Sequence, residues 1–226
     1  NDAGRIEQMD GRKHVTDVPA WGSQDPVSNY ELGWLSPMTN TQEIIIAGFG
    51  GQGVLSMGQL LVYAAMVEGK EVSWMPSYGP EMRGGTANCM VIISDARISS
   101  PILSKVDSAI VLNQPSMDKF VQKVHPGGLV LYERSTIINP PTRTDIEVLS
   151  LSAIEEAHRL TSKQVANVVL LGAFLERRPV VKPENVITAL RKVLPPHRQH
   201  LLSINEQALM RGKELAMEAL SETVVR

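Results

Sequence analysis

At 226 residues, 43% hydrophobic and 20% charged, the chain is long enough to bury one good core and is ordinary for a soluble protein. Its formal net charge of −2 leaves no basic footprint for nucleic acid. No apolar run approaches the roughly 20 residues of a membrane-spanning helix and none reads as a signal peptide, so a cytoplasmic setting without a membrane partner is expected.

Residues 1–40 are rich in Gly, Asp, Ser and Pro and show no sustained periodicity, yet they hold Trp21 and Trp34, two of the three tryptophans. They read as an extended arm or linker ahead of a folded domain at 41–226, with plain disorder or a cloning remnant as alternatives. From Thr41 the pattern becomes alternating strand and helix. Ile44–Ala47 reads as a buried strand and Gly53–Glu68 as a helix, which Gly69-Lys70 ends as a C-terminal glycine and cation should. Strands follow at Glu71–Met75 and Asn88–Ser94, then a strand–helix–strand unit at Val106–Leu112, Ser116–Val124 and Leu129–Tyr132. Ile146–Leu149 is a last short strand. Helices are expected near Ser152–Leu160, Gln164–Glu176, Pro183–Val193 and Ile204–Leu220. This order predicts an α/β fold: a doubly wound, mostly parallel, Rossmann-like sheet with helices on both faces and a helical C-terminal part.

The junction of the first strand and helix carries the strongest signal. Ile44-Ile45-Ile46-Ala47 runs directly into Gly48-Phe49-Gly50-Gly51-Gln52-Gly53. Glycines let backbone N–H groups approach an anion closely, and a helix N-terminus adds about half a positive charge. Gly48, Gly50 and Gly53 match G-x-G-x-x-G in a strand-before, helix-after context, so Gly48, Gly50, Gly51, Gln52 and Gly53 are candidate phosphate-binding residues. A turn that serves packing alone is the alternative.

A second stretch, Trp74 to Ala87, leaves the second strand through two prolines and three glycines, a stiff loop where open α/β folds bind ligands. Ser77 and Arg83 are its candidate ligand contacts. Arg83, beside Gly84-Gly85, can reach a phosphate or carboxylate; a surface arginine in a turn is the alternative. A nicotinamide-binding domain would place an acidic residue at the end of the second strand, where Trp74-Met75-Pro76-Ser77 has none, which argues against a dehydrogenase.

The remaining chemistry is sparse. Cys89, the single cysteine, excludes an internal disulfide and a cluster held by this chain alone, since an iron–sulfur cluster takes about four thiolates. It lies in an apparent strand, so a buried, inert thiol is expected. The five histidines form no metal-type set, and His197 and His200 read as surface residues at a helix entry. Neither a G-x-S-x-G elbow nor a Walker lysine motif occurs. Gln164 and Asn167 read, with the apolar positions that follow, as a helix packing on the sheet, Gly172 allowing a close approach. No catalytic residue and no metal ligand are assigned.

Gly48-Phe49-Gly50-Gly51-Gln52-Gly53-Val54, followed by Ser77-Tyr78-Gly79-Pro80-Glu81-Met82-Arg83-Gly84-Gly85-Thr86-Ala87-Asn88-Cys89, closely resembles the gamma subunit of 2-oxoacid:ferredoxin oxidoreductases. The likeness runs from about Thr41 to Leu220, includes Ile98-Ser99-Ser100-Pro101, and is nearest the 2-oxoglutarate and branched-chain 2-oxoacid types. The resemblance implies a multi-subunit enzyme that decarboxylates a 2-oxoacid oxidatively, passes two electrons to ferredoxin and leaves the acyl group on coenzyme A. It implies that the glycine loop contacts coenzyme A as co-substrate and helps close the active site, the chain alone being inactive. Thiamine diphosphate, Mg²⁺ and [4Fe–4S] clusters are then expected on alpha and beta subunits, and in some members on a ferredoxin-like delta subunit. A purely structural assembly subunit is the alternative within the same family.

Overall fold

The structure, a computed structural model, describes residues 40–78, 85–160 and 162–224; the arm read ahead of Asn40, and Arg83, lie outside the described residues. Among these residues, six strands and six α-helices follow in the order β1 (Thr41–Phe49), α1 (Val54–Val67), β2 (Glu71–Tyr78), β3 (Thr86–Ser94), β4 (Val106–Val111), α2 (Gln114–Phe120), β5 (Val124–Glu133), β6 (Glu147–Leu151), α3 (Ala153–Arg159), α4 (Ala166–Arg177), α5 (Pro183–Val193) and α6 (Leu202–Val224). They build one sheet in the order β2-β3-β1-β4-β5-β6.

The expected α/β sheet, mostly parallel, is present. β1, β4, β5 and β6 pair in parallel, with Ala47 opposite Val111 and Val111 opposite Tyr132. β3 is the exception and runs antiparallel to both β1 and β2. The reason is chain length: seven residues separate Tyr78 from Thr86, whereas a parallel crossover needs a dozen or more. Ile44, Ile45, Ile46 and Ala47 are all fully buried, as a central strand covered on both faces must be. Ile44 and Ile46 pack under α1, α4 and α5, while Ile45 and Ala47 face Met117 and Phe120 of α2.

Local signals explain several element ends. α1 stops in a Schellman motif: Gly69 has φ +73°, its N–H donates to Met66 O, and Lys70 N–H donates to Ala65 O. The Lys70 ammonium donates to Val180 O at 2.8 Å and lies 3.8 Å from the carboxylate of Glu68, the C-cap of α1. α2 starts two residues earlier than expected because Asn113 caps it, accepting from Ser116 N–H at 2.8 Å, with Pro115 in the first turn.

Two packing details correct or sharpen the sequence reading. α4 is buried continuously from Asn167 to Leu175, and the close approach at Gly172 is to α6 rather than to the sheet. A Cβ built there lies 2.0 Å from Leu209 O. Cys89 is buried between β3 and α1, its thiol 3.6 Å from Val54 O, and burial pushes its pKa up to about 12. Because the thiol resists ionisation only in the folded state, its contribution is fully present below the unfolded cysteine pKa of about 8.5. It is lost as pH rises from there through the folded value. We expect Cys89 to stay unmodified by a thiol-specific reagent in the native protein at pH about 8 and to react fully on denaturation. Stoichiometric labelling of folded protein would show an open site instead.

Candidate functional site

The glycine turn sits where the chain divides to opposite sides of β1, between β1 and β4, the place at which open α/β sheets form a crevice. Gly51 and Gly53 both adopt positive φ, +94° and +80°. Gly53 is the N-cap of α1, no side chain caps that helix, and its first turn contains no acidic residue. The first N–H groups of a 14-residue helix are thus presented without a competing side-chain acceptor. Gly50 N–H donates to Gly85 O at 3.0 Å, tying the turn to the start of β3.

The glycines differ in what holds them. A Cβ at Gly48 would stand 2.7 Å from Gln52 Oε1 and 3.0 Å from Leu112 Cβ; one at Gly53 would stand 2.5 Å from Asn167 Nδ2. Crowding by side chains favours glycine at both, and at Gly53 the φ of +80° favours it as well. A Cβ at Gly51 would meet nothing within 4 Å. Gly51 is left-handed, open on its outer side, and faces a cleft of about 590 Å³.

That cleft assembles residues distant in the chain. Gly51, Gln52, Gly53 and Ser56 form one wall. Asn167, Gln164, His158 and Arg198 come from α4, the turn before it, α3 and the turn at 196–201. Glu133 closes the floor at the end of β5, buried, its carboxylate accepting from Ser135 N–H, Ser135 Oγ and Ile154 N–H at 2.7–3.0 Å. Gln164 and Asn167, read as packing residues, therefore also line the crevice. Asn167 does both, donating to Gly53 O at 3.4 Å while buried. Arg198, in the same exposed turn as His197 and His200, carried no signal in the sequence.

Ser77 lies exposed on the edge strand β2, opposite Asn88, at the same end of the sheet as the glycine turn. It does not line the cleft, and Arg83 lies outside the described residues. The topology adds weight against a dinucleotide site. β3 separates β2 from β1, so the end of β2 is two strand spacings, about 10 Å, from the glycine turn rather than one. Among the described residues no group of three or more His, Cys, Asp or Glu side chains could hold a metal ion, and no helix is long and apolar enough to cross a membrane.

A family profile described as pyruvate ferredoxin/flavodoxin oxidoreductase matches residues 43–215. The chain belongs to this family. It is 38% identical over 173 residues to the ketoisovalerate oxidoreductase subunit VorA of Methanothermobacter thermautotrophicus, covering 76% of this chain and 36% of VorA. The chain thus spans about a third of the length of that relative. It is 32% identical over 183 residues to the 2-oxoglutarate synthase subunit KorC of Methanocaldococcus jannaschii, 78% of this chain and 95% of KorC. Among solved structures, the gamma subunit of a keto/oxoacid ferredoxin oxidoreductase from Geobacter sulfurreducens matches with a TM-score of 0.70 at 29% identity, over 79% of this chain and 98% of that one. The 2-oxoglutarate:ferredoxin oxidoreductase from Magnetococcus marinus, solved with 2-oxoglutarate, coenzyme A and succinyl-CoA bound, shares the fold at a TM-score of 0.72 and 23% identity, over 79% of this chain and 31% of that one.

Proposed function

We propose that the chain is the gamma-type component of a 2-oxoacid:ferredoxin oxidoreductase and that its glycine turn holds coenzyme A against the reacting centre. The observation that carries this reading is Gly51. Gly48 and Gly53 are accounted for by packing, but Gly51 is open to the cleft and sits at an uncapped helix N-terminus. A diphosphate held by backbone donors suits that arrangement and needs no Walker lysine. The fold shared with an enzyme solved with coenzyme A bound supports it. In this proposal Gly51 and Gly53 supply the backbone approach, while Gly50, its N–H donated to Gly85 O, holds the turn in place. Ser77, near the end of β2, and Arg83, six positions further along the sequence, help close the composite site, and residues 1–40 are an arm separate from the domain at 41–226.

This chain's residues do not fit the other groups of the reaction. Its one thiol is buried, where a cluster needs about four thiolates, and the sequence lacks a thiamine diphosphate motif. We therefore assign thiamine diphosphate, Mg²⁺ and [4Fe–4S] clusters to alpha and beta partner subunits, with ferredoxin as electron acceptor. The division of labour is catalytic inactivity of this chain by itself.

Gly51→Asn tests the site. Asparagine tolerates positive φ better than other side chains, and the space beyond Gly51 is open, so folding should survive. The side chain would stand where the diphosphate lies. In the assembled enzyme the coenzyme A KM should rise about tenfold or more, the scale of a lost charge-assisted contact, with the 2-oxoacid KM unchanged. An unchanged coenzyme A KM would favour a structural assembly subunit.

A further inference from the structure

The side chain of Gln52, a candidate ligand contact in the cleft wall, hydrogen-bonds to the protein's own backbone. Its Oε1 accepts from Phe49 N–H at 2.6 Å, and its Nε2 donates to Leu112 O at 3.0 Å. Its own backbone N–H donates to Phe49 O at 3.2 Å. These three bonds close the turn on itself and tie it to the end of β4, across the crevice between β1 and β4. The orientation of the amide is settled by its partners, because an N–H must face an oxygen and a carbonyl must face an N–H. Gly48 makes the room: any Cβ there would press on Oε1.

We infer that Gln52 is a positioning residue that sets the height and angle of the Gly51 and Gly53 amides at the cleft, and so tunes coenzyme A binding without touching coenzyme A. The inference rests on the proposed coenzyme A site. The latch needs an acceptor on one arm and a donor on the other. A carboxylate at this position offers only acceptors, and would set one against Leu112 O. A protonated carboxyl offers both, with C=O toward Phe49 N–H and O–H toward Leu112 O. Glu133 on β5, His158 on α3 and Arg198 are the charged or titratable groups among the described residues that line the same cleft. All three are present in the wild type and in every variant, and the Gln52→Ala-to-wild-type ratio is the control for them.

The test uses the assembled enzyme with 2-oxoacid, coenzyme A and a viologen acceptor, comparing wild type, Gln52→Ala, Gln52→Glu and Gly51→Asn. We expect Gln52→Ala to raise the coenzyme A KM about tenfold, with kcat at saturating coenzyme A and the 2-oxoacid KM unchanged. Gln52→Glu should match Gln52→Ala at pH about 8 and return toward wild type as pH falls through the ordinary glutamate pKa of about 4.3 to about 4, while the Ala-to-wild-type ratio stays flat. A purely structural role would move the yield of enzyme and both substrate KM values together, whereas a positioning role moves and recovers the coenzyme A KM alone. The inference is overturned if Gly51→Asn raises the coenzyme A KM but neither Gln52 variant does. It is also overturned if the Glu variant shows no rescue, or if both substrate KM values rise together. If Gly51→Asn leaves the coenzyme A KM unchanged, the site itself is wrong and this inference falls with it.

Discussion

Replacing Gly212 with valine should unfold the helical layer or lower its melting temperature by roughly 6–12 °C, the equivalent of about 3 kcal/mol in a domain of this size. Gly212 of α6 lies against the backbone of α4: a Cβ built on it stands 1.8 Å from Val169 O and 3.0 Å from Ala173 N. Gly172 makes the reciprocal contact from α4, 2.0 Å from Leu209 O. Backbone cannot rotate away as a side chain can, so the two helices must separate. Separation would open gaps around Val169, Ala173 and Phe174, all fully buried, and dispersion contacts fall away within an ångström. The sign of the effect is diagnostic. Glycine in a helix interior costs about 0.5–1 kcal/mol relative to alanine, so at a roomy position Gly→Ala would stabilise. Gly212→Ala should destabilise instead. Gly69→Ala, whose new Cβ meets nothing within 4 Å, should cost only the positive-φ strain of about 1–2 kcal/mol. Thermal unfolding of the three variants decides the matter; equal losses for Gly212→Val and Gly69→Ala would mean the crossing is looser than described.

The parts of the fold that follow from local chemistry were legible in the sequence, and those that follow from long-range packing were not. β1, α1 and the Gly69 stop each rest on a run of fewer than twenty residues, and their bounds agree with expectation within a few positions. The direction of β3 was implicit in the short connection after Tyr78 but not in the strand's own residues, which look alike in either direction. The glycine turn was legible as a turn. That Gly48 and Gly53 answer to packing while Gly51 does not depends on Gln52, Leu112 and Asn167, and Asn167 is 114 positions from Gly53. The far wall of the cleft comes from α3, α4 and the turn at 196–201, brought opposite β1 only by the tertiary fold. Asn167 could have been suspected, as a polar residue in an otherwise apolar helical run. Arg198, among exposed neighbours, could not.

In the proposed coenzyme A site, Gly53 is where stability and binding meet, and its substitution should disturb both. Gly53→Val blocks close approach of a diphosphate, but the structure adds two costs that act before any ligand arrives. The residue has φ +80°, a region that β-branched side chains adopt only under strain, and its Cβ would collide with Asn167. A raised coenzyme A requirement in Gly53→Val would therefore mix a blocked site with a displaced α4, which makes Gly51→Asn the cleaner probe of the ligand. The collision can be isolated with a double-mutant cycle built on Gly53→Ala and Asn167→Ala. Alone, Gly53→Ala should cost roughly 2–4 kcal/mol, the sum of positive-φ strain and overpacking. Asn167→Ala alone should cost about 1 kcal/mol, through the long bond to Gly53 O and lost packing. Together they should cost less than the sum by about 1 kcal/mol or more, since removing the carboxamide vacates the space that the new methyl needs. Chemical denaturation of the four proteins measures the coupling. Strict additivity would show that Asn167 is not the obstacle, and that glycine is required at 53 for its backbone angle alone.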